Sequence, residues 1–151
     1  MTLFRRCAAG LAAATTAATL LVAAAPAAYA VDTSRCDNTT PPDWFYPHLK
    51  DAADVSGDGV PSTWGDSYNM AKITCWESSY NQDAVNGSHY GLTQMLQSNV
   101  QAANVSWTCY WEGGCAKDRR YHQLLAALRY ANTRYGSPAA GWQHIKDYGW
   151  W

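Results

Sequence analysis

The clearest pattern of hydrophobic and polar positions lies between residues 118 and 136. Apolar and aromatic side chains recur there at the i, i+3, i+4 and i+7 spacing of one helix face, namely at Tyr121, Leu124, Leu125, Leu128, Ala131 and Tyr135. Asp118 is placed to cap this helix and Gly136 to end it. A further helix is predicted directly afterwards, because Ser137 is a good N-cap residue and Pro138 suits the first helical position.

An earlier helix is predicted to begin after Asp66 or Ser67 and to run to about Ser79. One face of this helix carries Met70, Ile73 and Glu77. That face should be buried, and burying an ionised carboxylate is costly unless it is paired. Either the helix ends before residue 77, or the carboxylate is held on the apolar face for a purpose.

The remaining patterns predict shorter elements. Three prolines and several turn formers favour an extended N-terminal arm over residues 31–48, and residues 54–66 are predicted to form a loop. The Asn-Gly pair at Asn86 predicts a short hairpin or an irregular crossing within residues 81–94. A short helix is expected across residues 95–105, with Leu96, Val100 and Ala103 at helical spacing. We therefore expect a single helix-rich domain, either α+β or all-α.

The first thirty residues have the features of a signal peptide. A basic start, MTLFRRC, precedes an Ala/Leu-rich stretch and a small-x-small ending at Ala30. No later apolar run of about 20 residues predicts a membrane span. We expect a soluble, secreted protein located outside the cell or in the cell wall, whose mature chain begins at Val31.

The composition of the mature chain limits its partners. Nine Lys and Arg residues stand against twelve Asp and Glu residues, and no long basic run indicates a nucleic-acid partner. All eight tryptophans lie in this part of the chain. So many aromatic side chains exceed the needs of a small core, and flat amphipathic rings suit the apolar faces of sugars.

Four cysteines remain after the signal peptide, at positions 36, 75, 109 and 115. An even number in an oxidising compartment predicts two disulfides, for which three connectivities exist. We favour Cys109–Cys115, because CYWEGGC closes a short glycine-containing loop, together with Cys36–Cys75. Zinc is the poorer interpretation, because no C-x-x-C or H-x-x-x-H motif accompanies the cysteines.

A weak calcium-loop pattern lies in DVSGDG. Asp54, Ser56 and Asp58 occupy positions 1, 3 and 5 of such a loop, but Gly65 stands at position 12, where a bidentate Glu is usual. The alternative is an Asx-rich turn before the next helix, and we favour it. No cofactor is therefore expected to be required.

Glu77 is the candidate for chemistry. It is one of only two glutamates, and Trp76, Tyr80, Tyr90 and Tyr130 are expected around it. Partial desolvation disfavours the charged form of a carboxyl and raises its pKa. A carboxyl that stays protonated near neutral pH is what acid catalysis of glycosidic cleavage requires. The plainer interpretation is a solvated or salt-bridged Glu at a helix end.

Two blocks of sequence resemble the soluble lytic transglycosylase domain of the lysozyme-like superfamily. ESSYNQDAVNGSHYGLTQM is similar to its signature, in which E-S-x-x-N is followed by A-V and then by G-L-x-Q. ALRYANTRYGSPAAGWQHIKDYGWW is similar to the C-terminal half of actinobacterial members. The resemblance covers roughly residues 66–151 and implies a mainly α, α+β lysozyme-like domain with a cleft, preceded by an arm and loop over residues 31–65.

The resemblance also implies roles for individual residues. It makes Glu77 the catalytic acid and base, and it implies that Ser78 orients the site and that Asn81 braces the following turn. The substrate-binding set it implies comprises Ser78, Asn81, Tyr90, Gly91, Leu92, Gln94 and Tyr130. Ser78 and Asn81 are equally explained as simple cap and turn residues.

Together these observations predict a monomeric enzyme that cleaves peptidoglycan glycan strands with one carboxyl group. A hydrolase would normally place a second carboxylate about 5–9.5 Å from the acid, and Asp83 is the only nearby candidate. A lytic enzyme needs none. The alternatives are a lysozyme- or chitinase-type hydrolase that uses Asp83 or an ordered water, and an inactive glycan-binding module on the same fold.

Overall fold

The computed structural model describes residues 31–55, 57 and 59–151, so the predicted signal peptide lies outside the described residues. The described chain is mostly helical and has one small antiparallel sheet. Its α-helices are α1 (Ser34–Asp37), α2 (Phe45–Val55), α3 (Tyr68–Ser78), α4 (Gln97–Ala102), α5 (Arg119–Tyr135) and α6 (Pro138–Tyr148). A 3-10 helix (Ser62–Asp66) precedes α3, and a π-helical turn (Thr108–Glu112) precedes α5.

Three helices begin where the sequence predicts. Each has an N-cap side chain that accepts a hydrogen bond from the backbone N–H three residues later: Ser67 for α3, Asp118 for α5 and Ser137 for α6. Gly136 ends α5 in the left-handed conformation, which a residue without Cβ adopts without strain. Local capping chemistry therefore fixes where these three helices begin, including α3, which carries Trp76 and Glu77.

The predicted extended arm over residues 31–48 is wrong. Helix α1 lies within it, and α2 begins at Phe45 and buries Phe45 and Leu49 completely. Pro47 does not prevent the helix, because it occupies the first turn, where a backbone N–H has no intrahelical partner. The buried face continues through Ala52 and Ala53, at the helical spacing that the prolines obscured.

The calcium loop remains a prediction. Asp54 lies in the last turn of α2, exposed, with a carboxylate oxygen 3.5 Å from the Lys50 ammonium. Ser56 and Asp58 lie outside the described residues. The pattern therefore has one described member, which pairs with a lysine.

The hairpin prediction is confirmed. Strands β1 (Val85–Asn86) and β2 (His89–Tyr90) pair antiparallel across a two-residue loop, and β3 (Met95–Leu96) pairs with β2. Met95 and Leu96 belong to β3, so the helix predicted across residues 95–105 is the shorter α4. The sheet lies directly after α3 in the chain and supplies one wall of the cleft described below.

Helix α5 is the centre of the packing and carries one buried polar residue that joins it to the sheet. The Gln123 amide donates to the carbonyls of Gln82 and Tyr110 at 3.1 Å, and its oxygen accepts from the Leu92 N–H at 2.8 Å. Such bonds compensate the cost of burying an amide. Around it, the fully buried apolar side chains include Phe45, Leu49, Met70, Ile73, Leu92, Leu124, Leu128 and Ile145.

Both favoured disulfides are present in the structure. Cys36–Cys75 joins α1 to α3, and Cys109–Cys115 closes a loop of six residues' separation. Within the described part of the chain, no helix has both the length and the apolar character needed to cross a membrane.

Candidate active-site cleft

Glu77 occupies the last turn of α3, one residue before the helix ends at Ser78. Met70 and Ile73, on the same face, are fully buried, whereas Glu77 is half-buried. The helix stops immediately afterwards, because Ser79 and Tyr80 have φ values of 53° and 64° and turn the chain sharply away. The carboxylate therefore projects beyond the core face instead of entering it.

A cleft of about 470 Å³ opens in front of Glu77. Its walls come from α1, the end of α3, the β1–β2 hairpin and the segment after α6. The lining residues are Arg35, Trp76, Glu77, Asn86, His89, Gln94, Gly149, Trp150 and Trp151. Among these described residues Glu77 is the only carboxylate, and three of them are tryptophans.

The environment of Glu77 favours the protonated carboxyl. Burial raises its pKa to about 8, and the Arg35 guanidinium opposes this by favouring the charged form. No described side chain makes a hydrogen bond or ion pair with the carboxyl, although the group lines the cleft. At neutral pH the Glu77 carboxyl is therefore mostly protonated, and it lines the cleft.

Tyr130 lies near enough to this carboxyl for the charge of Glu77 to act on its pKa. Burial raises the pKa of Tyr130, the Arg134 charge opposes this, and the charge of Glu77 adds a smaller upward contribution. The Tyr130 ring packs edge-on against Trp151, with 5.2 Å between centroids. Trp151 in turn donates its indole N–H to the Thr93 carbonyl at 2.8 Å. Tyr130 thus belongs to the packing behind the acid and does not line the cleft.

Gln94, one of the residues predicted to bind substrate, lines the cleft. Its backbone has a φ of 48°, and its amide nitrogen donates to the carbonyls of Ala84 and Gly91 at 3.1 and 2.9 Å. These two bonds hold the side chain in place and use its donors. The remaining amide oxygen is an acceptor on the cleft wall, suited to a sugar hydroxyl or an acetamido N–H.

Ser78, Gly91 and Leu92 lie behind the cleft wall. The Ser78 hydroxyl donates to the Leu92 carbonyl at 2.8 Å and so joins the Glu77 helix to the sheet segment. Gly91 has a φ of 78°, and a Cβ there would lie 2.7 Å from the Gln123 side chain. These residues position the site, and none of the three is among the residues that line it.

Asn81 and Tyr90 are also placed away from the lining. The Asn81 side-chain oxygen accepts from the Asp83 N–H at 2.9 Å, an Asx turn that braces the chain after α3. Tyr90 packs edge-on against Trp107 and Trp111, at centroid distances of 5.2 and 5.0 Å. Successive strand residues point to opposite faces, so His89 reaches the cleft and Tyr90 does not.

Asp83, the candidate second carboxylate, is exposed and forms an ion pair with Arg119. It is not among the residues that line the cleft. A hydrolytic mechanism through Asp83 would need this pair to open and the carboxylate to move.

Several lining residues were missed by sequence reasoning, above all Arg35, His89 and Trp150. One signal could have found Arg35. If Cys36 pairs with Cys75, the preceding residue must lie close to Trp76 and Glu77. No comparable signal exists for His89 or Trp150, because they reach the cleft only through the fold.

A group with metal-ligand chemistry also lies near α5. Cys109, Cys115 and His122 have side-chain atoms within 4.8 Å of one another. The two cysteines are joined in a disulfide, so they offer no thiolate to a metal. We assign no metal to this group.

The cleft combines one carboxyl of raised pKa with three tryptophan side chains. Comparison of the chain with protein-family models, curated proteins and solved structures finds no match. The geometry of the cleft and the motifs in the sequence are therefore the basis for assigning a function.

Proposed function

We propose that this protein is a secreted lytic transglycosylase of lysozyme-like fold, which cuts the β-1,4 bond between N-acetylmuramic acid and N-acetylglucosamine in peptidoglycan. The observation that carries the proposal is a single carboxyl with a pKa of about 8, in a cleft whose described lining has no second carboxylate. The sequence blocks around Glu77 and after Tyr130 support the same assignment.

In the proposed reaction one carboxyl acts twice. Glu77 first donates its proton to the glycosidic oxygen, and the bond from that oxygen to C1 of the muramic acid breaks. The Glu77 carboxylate then accepts the proton of the C6 hydroxyl, whose oxygen bonds to C1. The product is a 1,6-anhydro sugar, no water is consumed, and Glu77 returns to its protonated form.

The other lining residues suit sugar binding. Trp150 is 49% exposed and offers flat apolar surface to a sugar, and Trp76 and Trp151 add aromatic side chains to the lining. The amide oxygen of Gln94 supplies an acceptor. The two disulfides and the signal-like start of the chain are in keeping with action outside the cell.

The experiment is digestion of purified cell walls in heavy-oxygen water, followed by mass analysis of the products. We expect the suspension to clear and to release 1,6-anhydro ends without label. Labelled reducing ends would assign the protein to the hydrolases. Binding without any clearing would make it a glycan-binding module.

A further inference from the structure

The cleft contains a fixed cation that the proposed reaction does not use. Arg35, in α1, lines the cleft, and its guanidinium carbon lies 4.6 Å from the centre of the Trp76 ring. One of its terminal nitrogens donates to the Trp76 carbonyl at 2.7 Å. The adjacent disulfide, Cys36–Cys75, ties the backbone of this residue to that of α3. The guanidinium is therefore held over the tryptophan and beside the acid.

Within the described part of the chain, this cation has no anionic partner. Among the described residues no carboxylate lies within 4.0 Å of Arg35, although the side chain is exposed. A guanidinium has five N–H donors, of which the Trp76 carbonyl uses one. Glu77 does not neutralise the charge at neutral pH, because burial keeps its carboxyl protonated. The site is thus positively charged while it is ready to donate a proton.

We propose that Arg35, held over the Trp76 ring, is an anion subsite that binds a carboxylate of the glycan next to the scissile bond. This proposal rests on the function proposed above and makes the substrate more specific. A muramic sugar carries such a group in its lactyl ether or in an attached peptide stem, whereas a glycan made only of N-acetylglucosamine has none. A planar guanidinium that is already held in place by the Trp76 ring and carbonyl suits bidentate pairing with a carboxylate.

The subsite also accounts for a feature that the proton transfer alone does not explain. A cation near Glu77 favours the charged carboxylate and so works against the proton donor. A bound substrate carboxylate would neutralise Arg35 and strengthen the protonated form at the moment when the proton is needed. Glycans that carry an anion would then bind more tightly, and Glu77 would be more fully protonated in their complexes.

The test measures binding in a Glu77→Gln background, which prevents turnover. Three glycans of equal length are titrated by calorimetry: one with free lactyl carboxylates, one with peptide stems on the lactyl groups, and a neutral N-acetylglucosamine oligomer. Arg35→Gln should weaken binding of an acidic glycan by roughly 10- to 100-fold and leave binding of the neutral one unchanged. The acidic glycan that loses affinity identifies the source of the carboxylate.

Two further variants control the result. Arg35→Lys keeps the charge without the planar fork and should recover part of the lost affinity. Arg119→Gln removes another arginine that lies over a tryptophan ring and donates to the carbonyl of that tryptophan, but outside the cleft, and should change neither affinity. Equal weakening of acidic and neutral glycans by Arg35→Gln, or no weakening, would overturn the subsite. If the wild-type protein cleaves cell walls but Arg35→Gln shows either of these results, only the subsite is wrong. If selectivity for acidic glycans depends on Arg35 but the wild-type protein cleaves no wall, only the catalytic function is wrong.

Discussion

Two arginine–tryptophan pairs in this protein are built alike. Arg35 lies over Trp76 and donates to the carbonyl of the same tryptophan; Arg119 lies 5.7 Å from the Trp111 ring and donates to the Trp111 carbonyl at 3.0 Å. A disulfide adjoins each pair. In both pairs, the ring and the backbone carbonyl of the tryptophan hold the guanidinium, independently of any carboxylate.

The carboxylates beside the two pairs differ. Asp83 is exposed and forms a direct ion pair with Arg119. Glu77 is half-buried and forms no ion pair with Arg35, and burial raises its pKa to about 8. A direct pair satisfies both charges and leaves neither for a ligand. Separation leaves a protonated carboxyl and an available guanidinium in one cleft. The same three kinds of side chain thus give a surface ion pair in one region and a candidate reaction centre in the other.

The largest effect is expected from Glu77→Gln. The amide keeps the shape of the side chain but cannot donate or accept the proton, so wall cleavage should fall by at least ~10²–10⁴-fold. Turbidity clearing measures the loss, and circular dichroism checks the fold. Asp83→Asn is the matched control and should retain most of the activity. If Asp83→Asn abolishes cleavage and Glu77→Gln does not, the roles assigned to the two regions are reversed.

Loss of the Cys36–Cys75 disulfide should have the next largest effect. Its residues are 39 apart in the chain, so replacing both by Ser should lower the free energy of unfolding by about 3–4 kcal/mol in the chain-entropy model. Because Arg35 depends on this bond for its position, selectivity for acidic glycans should fall as well. The control is the double Ser variant at Cys109–Cys115, whose loop is shorter and whose loss should be closer to about 2 kcal/mol. Urea unfolding measures both, and equal losses would contradict the loop-length argument.

The raised pKa of Glu77 makes stability depend on pH. The carboxyl has a pKa of about 8 in the folded protein and about 4.5 when unfolded, so between these values the folded state holds a proton that the unfolded state releases. The contribution of Glu77 to stability should therefore be fully present below about pH 4.5 and be lost as the pH rises through 8. At about 1.4 kcal/mol per pKa unit, reduced because the carboxyl reaches cleft water, the loss is on the order of 2–3 kcal/mol.

The measurement compares urea unfolding of the wild type and Glu77→Gln from pH 5 to pH 9. The amide does not titrate, so the free energy of unfolding of the variant should increase relative to that of the wild type as the pH rises. A constant difference across this range would mean that the carboxyl is not desolvated.

The smallest effect is expected at the exposed pair. Breaking it with Asp83→Asn should cost only about 0.2–1 kcal/mol, because solvent screens the charges. A double-mutant cycle with Arg119→Gln, followed by thermal unfolding in low and high salt, isolates the pair. A coupling energy of several kcal/mol that persists in high salt would show that the Asp83–Arg119 pair is shielded from solvent. The two regions would then not differ in solvent screening as proposed.

The sequence predicted those elements whose causes are local. Helices α3, α5 and α6 each begin at an N-cap side chain that the sequence displays, and the Asn86–Gly87 turn gives the hairpin. Helix α2 was missed because its apolar spacing overlaps prolines, and proline in a first helical turn is tolerated. Propensity counts alone do not distinguish that position from a helix interior.

The candidate site was predictable only in part. Glu77 stood out because a carboxylate on an apolar helix face needs a reason, and Gln94 followed from the sequence block. Arg35, His89 and Trp150 come from three distant segments, and packing of the whole chain decides that they converge. Tyr90 was predicted to bind substrate but does not line the cleft. Neighbouring residues of a strand point to opposite faces, so His89 lines the cleft instead.

The cleft uses both ends of the described chain, with Arg35 near one end and the segment 149–151 at the other. Trp151 is buried, donates to the Thr93 carbonyl and packs against Tyr130. During synthesis, α3 and Glu77 leave the ribosome more than seventy residues before Trp151 does. A chain synthesised only as far as α6 therefore lacks one wall of the cleft, and Glu77 should be more open to solvent until the segment 149–151 has been added.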